Sequence, residues 1–219
     1  MNKELKKRIL SSIILMPIVI FLIINGSFLF NFLISICFFI TLYEWHKMTK
    51  KKSYYLPGIL FLFISFYTVY QIRTNLTDSE YGYFMFILLI CISTDLGGYI
   101  FGKIFKGPKL TNISPKKTFS GLIGGYLLSI VILIVFFKSG FNTFQEDELS
   151  FGIFIVILLI STISQLGDIT ISYFKRLSKI KDTGKIIPGH GGLLDRIDGM
   201  IFAFPFSYLI FKINVFQYL

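Results

Sequence analysis

The chain has 219 residues, of which 54% are hydrophobic and only 16% are charged. Soluble domains average about 25% charged residues, and a sphere of this size has too little interior to hide 26 Phe side chains and a matching load of Ile and Leu. The composition therefore excludes a soluble globular domain, and it also excludes disorder, which needs low hydrophobicity. The net charge of +10 suits nucleic acid, anionic lipid or a phosphorylated substrate, and composition alone does not choose among them.

Apolar runs long enough to cross a bilayer recur along the chain, since a crossing helix needs about 20 mostly apolar residues. They predict an all-α polytopic membrane protein with about seven transmembrane helices. The seven runs cover approximately residues 9–25, 27–43, 56–72, 81–101, 121–137, 151–173 and 199–218. Gly26, between the first two runs, predicts a tight turn. We expect the first run to be retained, because no small-residue cleavage site follows it and Pro17 lies inside it.

Lys and Arg residues alternate in number from one loop to the next. The N-terminus and the loops after the second, fourth and sixth runs hold 19 of the 22 basic residues, and the remaining loops and the tail hold 3. By the positive-inside rule, this pattern places the N-terminus and the basic loops in the cytoplasm, and it predicts a multi-pass protein of the cell (inner) membrane. The concentration of basic residues on one side of the membrane explains most of the net charge, so we expect no nucleic-acid partner.

Two carboxylates, Asp95 and Asp168, lie inside predicted spans near their cytoplasmic ends. Ionisable groups at membrane depth are costly and mark a functional site or a pairing partner. A structural hydrogen bond between helices is the alternative for either residue. Helical spacing also places Ser172 and Lys175 on the same face as Asp168, four and then three residues further on.

The loop after the sixth run combines glycines with acids and bases. The cluster around His190, Gly191 and Gly192 allows backbone N–H groups to approach an anion closely. Asp195 and Asp198 are three residues apart, and hard oxygen ligands in this arrangement suit Mg²⁺, which usually takes one or two carboxylates together with phosphates and water. The alternative is that the two acids cap the last helix and that the bases only follow the positive-inside rule.

A second polar cluster precedes the fifth run and begins at Ser114. Lys116 and Lys117 could meet a phosphate at the start of the following helix, and Thr118 or Ser120 could cap that helix. A basic flank with an ordinary cap is the alternative.

These residues resemble the signature of the phosphatidate cytidylyltransferases, also called CDP-diacylglycerol synthases. The matching positions span 27 residues and are Ser172, Phe174, Lys175, Arg176, Lys181, Asp182, Gly184, Ile187, Pro188, His190, Gly191, Gly192, Asp195, Arg196 and Asp198. An upstream block is similar to the family as well and contains Asp95, Gly97, Gly98, Tyr99, Gly102, Lys103 and the run from Ser114 to Thr118. Two positions depart from the family: Ser120 stands where an acid is common, and Gly98 stands where Ala is common.

The resemblance covers roughly the C-terminal 125 residues. It implies a division into an N-terminal region of three spans, residues 1–80, and a catalytic membrane region of four spans and two cytoplasmic motif loops, residues 81–219. The implied reaction joins CTP to phosphatidate, gives CDP-diacylglycerol and pyrophosphate, and uses Mg²⁺, with a second cation left open. A homo-oligomer is also left open.

The resemblance assigns roles to the motif residues as follows. Asp168, Asp195 and Asp198 would bind the metal, and Asp182 is a further candidate. Phosphates would be held by Lys175, Arg176, Lys181 and Arg196, and His190 would shape the turn over the triphosphate. The substrate-binding wall would comprise Ser114, Lys116, Lys117, Thr118, Ser172, Gly191 and Gly192.

Two other functions fit parts of the pattern. A multi-pass ion or solute transporter would also carry acids in its spans, although here they lie near one face and not at the midplane. Another CTP-dependent lipid kinase or transferase would share the same chemistry at the membrane face, but the complete signature favours the cytidylyltransferase.

Overall fold

The computed structural model describes residues 17–74, 82–111, 113–138, 151–186 and 191–213. Within these ranges the chain is helical, and it contains no β-strand beyond an isolated bridge between Lys109 and Thr118. Helix α1 is described over residues 17–25. The helices that follow are α2 (Ser27–Thr49), α3 (Tyr55–Thr74), α4 (Gly82–Phe105), α5 (Phe119–Lys138), α6 (Phe151–Leu177), α7 (Leu194–Ile197) and α8 (Met200–Lys212).

The predicted all-helical membrane character is confirmed. Among the described residues, the five helices α2 to α6 are long and apolar enough to cross a bilayer, whereas α8 is a shorter apolar helix of 13 residues. The first part of the first predicted run, residues 9–16, and the end of the last one lie outside the described residues. The count of seven spans and the orientation therefore stay predictions.

The turn between α1 and α2 is tight, as the sequence predicts. Gly26 breaks the helix with a φ of 57°, a left-handed conformation that suits glycine. The Arg73 guanidinium, at the end of α3, donates to the Ile23 carbonyl oxygen at 3.1 Å and lies over the Phe30 ring, 5.6 Å from its centroid. A Cβ at Gly26 would also meet this guanidinium, which would have to shift to admit it.

Aromatic and β-branched side chains fill the centre of the bundle. Phe84 of α4 packs edge-on against Phe30 of α2 and tilted against Phe204 of α8, with ring centroids 5.4 and 5.1 Å apart. Many other large apolar side chains on the outer faces are exposed, among them Phe28 and Phe39 of α2. This distribution suits a bundle whose surroundings are lipid, because the hydrocarbon is as apolar as the core.

Helices α4 and α5 approach each other through glycines. A Cβ at Gly97 would fall on the Gly124 carbonyl oxygen and would lie 2.9 Å from the Gly125 Cα. A Cβ at Gly121 would lie 2.7 Å from the Gly98 carbonyl oxygen. Small residues allow such close contact between membrane helices.

The N-terminal helices also pack on the C-terminal ones. The Ser65 hydroxyl of α3 donates to the Ile201 carbonyl oxygen of α8 at 2.7 Å, and the Phe61 and Phe202 rings lie 4.5 Å apart. The predicted division at residue 80 falls within residues 75–81, which are outside the described ranges, and it stays a prediction.

Candidate active site

A polar cavity of about 450 Å³ lies between α4, α5 and α6 and the segments that flank α7. It brings together most of the residues that the sequence singles out. The predicted site residues in its lining are Ser114, Lys116, Lys117, Thr118, Asp168, Lys175, Asp182, Asp195, Arg196 and Asp198. Asp95, the second acid of the spans, lines the same cavity, together with Thr94, Tyr99 and Gln165.

The loop before α5 forms one wall of the cavity. It folds back on itself through two backbone bonds, from the Leu110 N–H to the Lys117 carbonyl oxygen at 2.8 Å and from the Lys117 N–H to the Ser114 carbonyl oxygen at 3.0 Å. The Thr118 hydroxyl accepts a bond from the Gly121 N–H at 3.1 Å. Of the two candidates from the sequence, Thr118 and Ser120, it is therefore Thr118 that caps the helix.

An ion pair joins this wall to α6. The Lys117 ammonium lies 2.5 Å from Oδ2 of Asp168, and both side chains remain partly exposed to the cavity. The Ser172 hydroxyl donates to Oδ1 of the same carboxylate at 3.3 Å, which confirms that Asp168 and Ser172 share a helix face. The carboxylate of Asp168 is held in place and still faces the cavity.

A second, more buried ion pair joins α6 to the segment around α7. The Lys175 ammonium donates to Oδ1 of Asp195 at 2.8 Å and lies 4.0 Å from Oδ2 of Asp198. The other oxygen of Asp195 accepts bonds from the backbone N–H groups of Thr183 at 2.8 Å and Gly192 at 3.0 Å. Asp195 thus ties both sides of the loop to the end of α6.

The carboxyl group of Asp198 is buried and lies near another carboxylate. Burial raises the pKa of its carboxyl well above the usual range, the Asp168 carboxylate raises it further, and the Lys175 ammonium lowers it. Oδ1 of Asp198 accepts a bond from the adjacent Gly199 N–H at 3.0 Å. Carboxylates that repel one another in this way are suited to share a cation.

Several predicted residues lie away from this cavity or cannot be placed. Arg176 is exposed, donates to the Ile180 carbonyl oxygen at 3.2 Å, and is not part of the cavity lining, nor is the exposed Lys181. His190 lies outside the described residues. The roles assigned to these residues stay predictions.

Comparison with known proteins decides the family. A family model described as the cytidylyltransferase family matches residues 6–77 and 53–214. The chain belongs to the cytidylyltransferase family.

Its relatives include a phosphatidate cytidylyltransferase of Rickettsia felis, 37% identical over 211 residues that cover 93% of this chain and 90% of the relative. The protein of the same name from Rickettsia conorii is 38% identical over 201 residues, 89% of this chain and 85% of the relative. The one from Haemophilus influenzae is 37% identical over 161 residues, 72% of this chain and 53% of the relative.

The family resemblance implies a magnesium ion, whose ligands would have to come from the side chains of this cavity. Among the described residues, no group of three or more His, Cys, Asp or Glu side chains is arranged to hold a metal. Mg²⁺ does not require one, because it usually binds through one or two carboxylates together with substrate phosphates and water. Asp168 and Asp198 provide such carboxylates at the cavity, and the Asp168 side chain is 28% exposed there. Asp195 also lines the cavity, but its side chain is 5% exposed and accepts three hydrogen bonds from the chain.

One residue that the structure connects to this site is not among those predicted from the sequence. Glu44 of α2 is only 1% exposed and accepts bonds from the Thr183 hydroxyl and from the N–H groups of Leu193 and Leu194. The second predicted span ends at residue 43, so Glu44 lies directly after it in the sequence. An acid directly at the end of an apolar run was the signal that could have identified it.

Proposed function

We propose that the protein transfers a cytidylyl group from CTP to phosphatidate, forming CDP-diacylglycerol and releasing pyrophosphate. The observation that carries this proposal is the cavity where Lys117, Lys175 and Arg196 meet Asp168 and Asp198 at the ends of membrane helices. A site of this composition at a membrane face suits two phosphorylated substrates, one of which is a lipid. The family membership supports the same reaction.

The reaction requires alignment more than it requires a strong base. An oxygen of the phosphatidate phosphate attacks the α-phosphorus of CTP, and the bond from that phosphorus to the oxygen bridging to the β-phosphate breaks. By analogy with phosphoserine, a phosphate monoester has a second pKa of about 6, so the nucleophile is largely ionised at neutral pH. The protein must bring two polyanions together and stabilise the leaving pyrophosphate.

The basic side chains of the cavity supply that stabilisation. Lys116, Lys117 and Arg196 would hold phosphates, and Lys175 orients Asp195 while it faces Asp198. Asp168 and Asp198 would hold Mg²⁺, which supplies Lewis-acid stabilisation of phosphoryl oxygens when it is bound. Ser114 and Thr118 complete the wall opposite α6.

The proposal includes the membrane arrangement. Seven spans with a cytoplasmic N-terminus would place the cavity at the cytoplasmic face of the cell membrane, where CTP is available. The alternation of basic loops supports this orientation.

A double-label experiment tests the reaction. Membranes that contain the protein are incubated with phosphatidate, Mg²⁺ and CTP labelled at either the α- or the γ-phosphorus. We expect α-label in the lipid phase and γ-label in pyrophosphate, because the bond beyond the α-phosphorus is the one that breaks. Membranes carrying Asp168→Asn serve as the control.

Two outcomes would contradict the proposal. Label from the γ-position in the lipid would identify a lipid kinase, and no labelled lipid from well-expressed protein would exclude both reactions. Lipid labelling that does not depend on added phosphatidate would indicate another acceptor.

A further inference from the structure

Glu44 connects α2 to the active-site loop over a long stretch of sequence. Its Oε1 accepts a bond from the Leu193 N–H at 3.0 Å. Its Oε2 accepts bonds from the Leu194 N–H and the Thr183 hydroxyl, each at 2.8 Å. A carboxylate only accepts hydrogen bonds, and its partners among the described residues belong to the segments on either side of residues 187–190.

Glu44 and Asp195 hold the same two segments. Thr183 donates its backbone N–H to Asp195 and its hydroxyl to Glu44. The N–H of Gly192 points to Asp195, and the N–H groups of the next two residues point to Glu44. The two carboxylates therefore accept bonds from different N–H groups of the same turn. Asp195 lines the cavity, whereas Glu44 does not.

The structure gives a second explanation for glycines in this loop, besides the close approach of backbone N–H groups to an anion. A Cβ at Gly184 would lie 2.5 Å from Oε1 of Glu44. A Cβ at Gly192 would lie 2.6 Å from both oxygens of Glu44 and would collide with the Thr183 hydroxyl. Two of the motif glycines are thus required by the approach of a carboxylate from α2.

We infer that Glu44 is a positioning residue of the active site, an inference that rests on the proposed function. It fixes the start of α7, and thereby sets Asp195 against Lys175 and directs Arg196 into the cavity. Glu44 acts through these residues and does not touch the substrates. The N-terminal helices, which carry none of the signature, therefore take part in shaping the site.

Glu44→Gln is the variant that tests this role, because it preserves the size of the side chain. The amide has one acceptor oxygen where the carboxylate has two, so it cannot receive both backbone N–H groups in the same way. Loss of a residue that orients an active-site ligand typically reduces activity about 10- to 100-fold. We expect kcat per folded molecule, at saturating CTP and phosphatidate, to fall by about tenfold or more.

Thr41→Val is the matched control. Thr41 lies on the same helix, is fully buried, and donates only to the carbonyl oxygens of Cys37 and Phe38 in its own helix. Its substitution removes a buried polar group at a similar depth without touching the loop. We expect Thr41→Val to retain the kcat of the unmodified protein.

Thr183 supplies the rescue pair. Thr183→Ser keeps the hydroxyl that donates to Glu44, and we expect it to retain most of kcat. Thr183→Val removes that hydroxyl, and we expect its kcat to fall. Combining Thr183→Val with Glu44→Gln should cost less than the product of the two single losses, because both disturb one contact.

Hydrogen–deuterium exchange gives a readout that does not depend on activity. In Glu44→Gln, peptides containing Leu193 and Leu194 should exchange faster by about tenfold or more, and in Thr41→Val they should not. A Glu44→Gln protein whose folded molecules keep the full kcat, or whose exchange at these amides is unchanged, would overturn the inference. Failure of the unmodified protein to form CDP-lipid would instead overturn the proposed function, and the exchange result would still decide whether Glu44 anchors the loop.

Discussion

Asp168 and Asp195 are both paired with a lysine, but their surroundings differ. The side chain of Asp168 is 28% exposed to the cavity, whereas that of Asp195 is 5% exposed and accepts three hydrogen bonds. Asp168 is held by Lys117 and Ser172 but still faces the cavity, whereas Asp195 is enclosed by the protein. From the sequence alone, both are expected to bind metal, because both place a carboxylate where a helix end meets the basic loop.

Substitution by asparagine should separate these roles. We expect Asp168→Asn to lower turnover by about 100-fold or more with little change in stability, because the carboxylate faces the cavity. Asp195→Asn should lower turnover as well, and it should also destabilise the protein by about 1–3 kcal/mol, because Lys175 and two backbone N–H groups lose a buried carboxylate. Lipid labelling and thermal unfolding in detergent measure the two effects.

The control for both variants is Asp147→Asn, at an acid that the sequence places in an outer loop. Asp147→Asn should change neither turnover nor stability. Equal stability losses for Asp168→Asn and Asp195→Asn would contradict the distinction, and full activity in either variant would exclude that residue from the essential machinery.

Local spacing explains which residue contacts could be predicted. Asp168 and Ser172 are four residues apart on a helix, so their contact follows from helical geometry. Glu44 and Thr183 are 139 residues apart, and no local pattern connects them. Only the packing of α2 against the loop reveals that pair.

Among the elements, α4 and α5 are in the closest contact. Two glycines that are adjacent in sequence face different amounts of space. A Cβ at Gly97 would meet the backbone of Gly124 and Gly125, whereas a Cβ at Gly98 would have only the Gly121 carbonyl oxygen near it, at an ordinary 3.7 Å. A methyl group at position 98 would therefore fit without displacing the backbone of α5.

Alanine substitution should therefore affect these two positions differently. We expect Gly97→Ala to destabilise the protein by about 1–3 kcal/mol or more, because two backbones must move apart to admit the methyl group. Gly98→Ala should leave stability within about 0.5 kcal/mol. The midpoint of thermal unfolding, measured for both variants in the same detergent, checks the difference, and equal destabilisation would show that α4 and α5 are not in this close contact.

Helix ends are where prediction from hydropathy differs from the structure. The second apolar run was expected at 27–43, but α2 continues to Thr49 and its added turns carry Glu44 and Trp45. The sixth run was expected to end at residue 173, but α6 continues through Lys175 to Leu177. Hydropathy detects the apolar part of a helix, whereas backbone hydrogen bonding continues past the hydrocarbon boundary. These polar extensions carry the site.

At the scale of the whole molecule, orientation is the property that the sequence predicts and that a direct experiment can check. Single-cysteine variants are made at Lys52 and at Asp147 in a background with Cys37→Ala and Cys91→Ala. In intact cells, a membrane-impermeant maleimide should label Asp147→Cys and should label Lys52→Cys only after permeabilisation. The positive-inside pattern is the physical reason.

The reverse labelling pattern would place the cavity on the outer face and would contradict the proposed access to CTP. Labelling of both variants in intact cells would place the two positions on the same side, and the number of spans between them would then have to be even. A label-accessible cysteine at a third site, Lys116→Cys, should behave as Lys52→Cys does.

The fold class, a helical membrane protein, could be predicted from composition, because a chain with so few charged residues and so many apolar ones requires a lipid environment. The assembly of the helices did not follow, because helices that are apolar all round do not indicate which face packs where. The contact of Ser65 with α8 and that of Glu44 with the loop both depend on this packing. They join the two halves that the sequence suggested were separate.

The long separation between Glu44 and its partners has a consequence for biosynthesis. Glu44 leaves the ribosome well before its donors, which follow it by 139, 149 and 150 residues. During that interval α2 must enter the membrane with its carboxylate unpaired, so it has to remain close to water or lipid headgroups. The packing of α2 against the loop is therefore completed late in synthesis. We expect chains that stop before residue 194 to remain incompletely assembled and to be degraded by quality-control proteases.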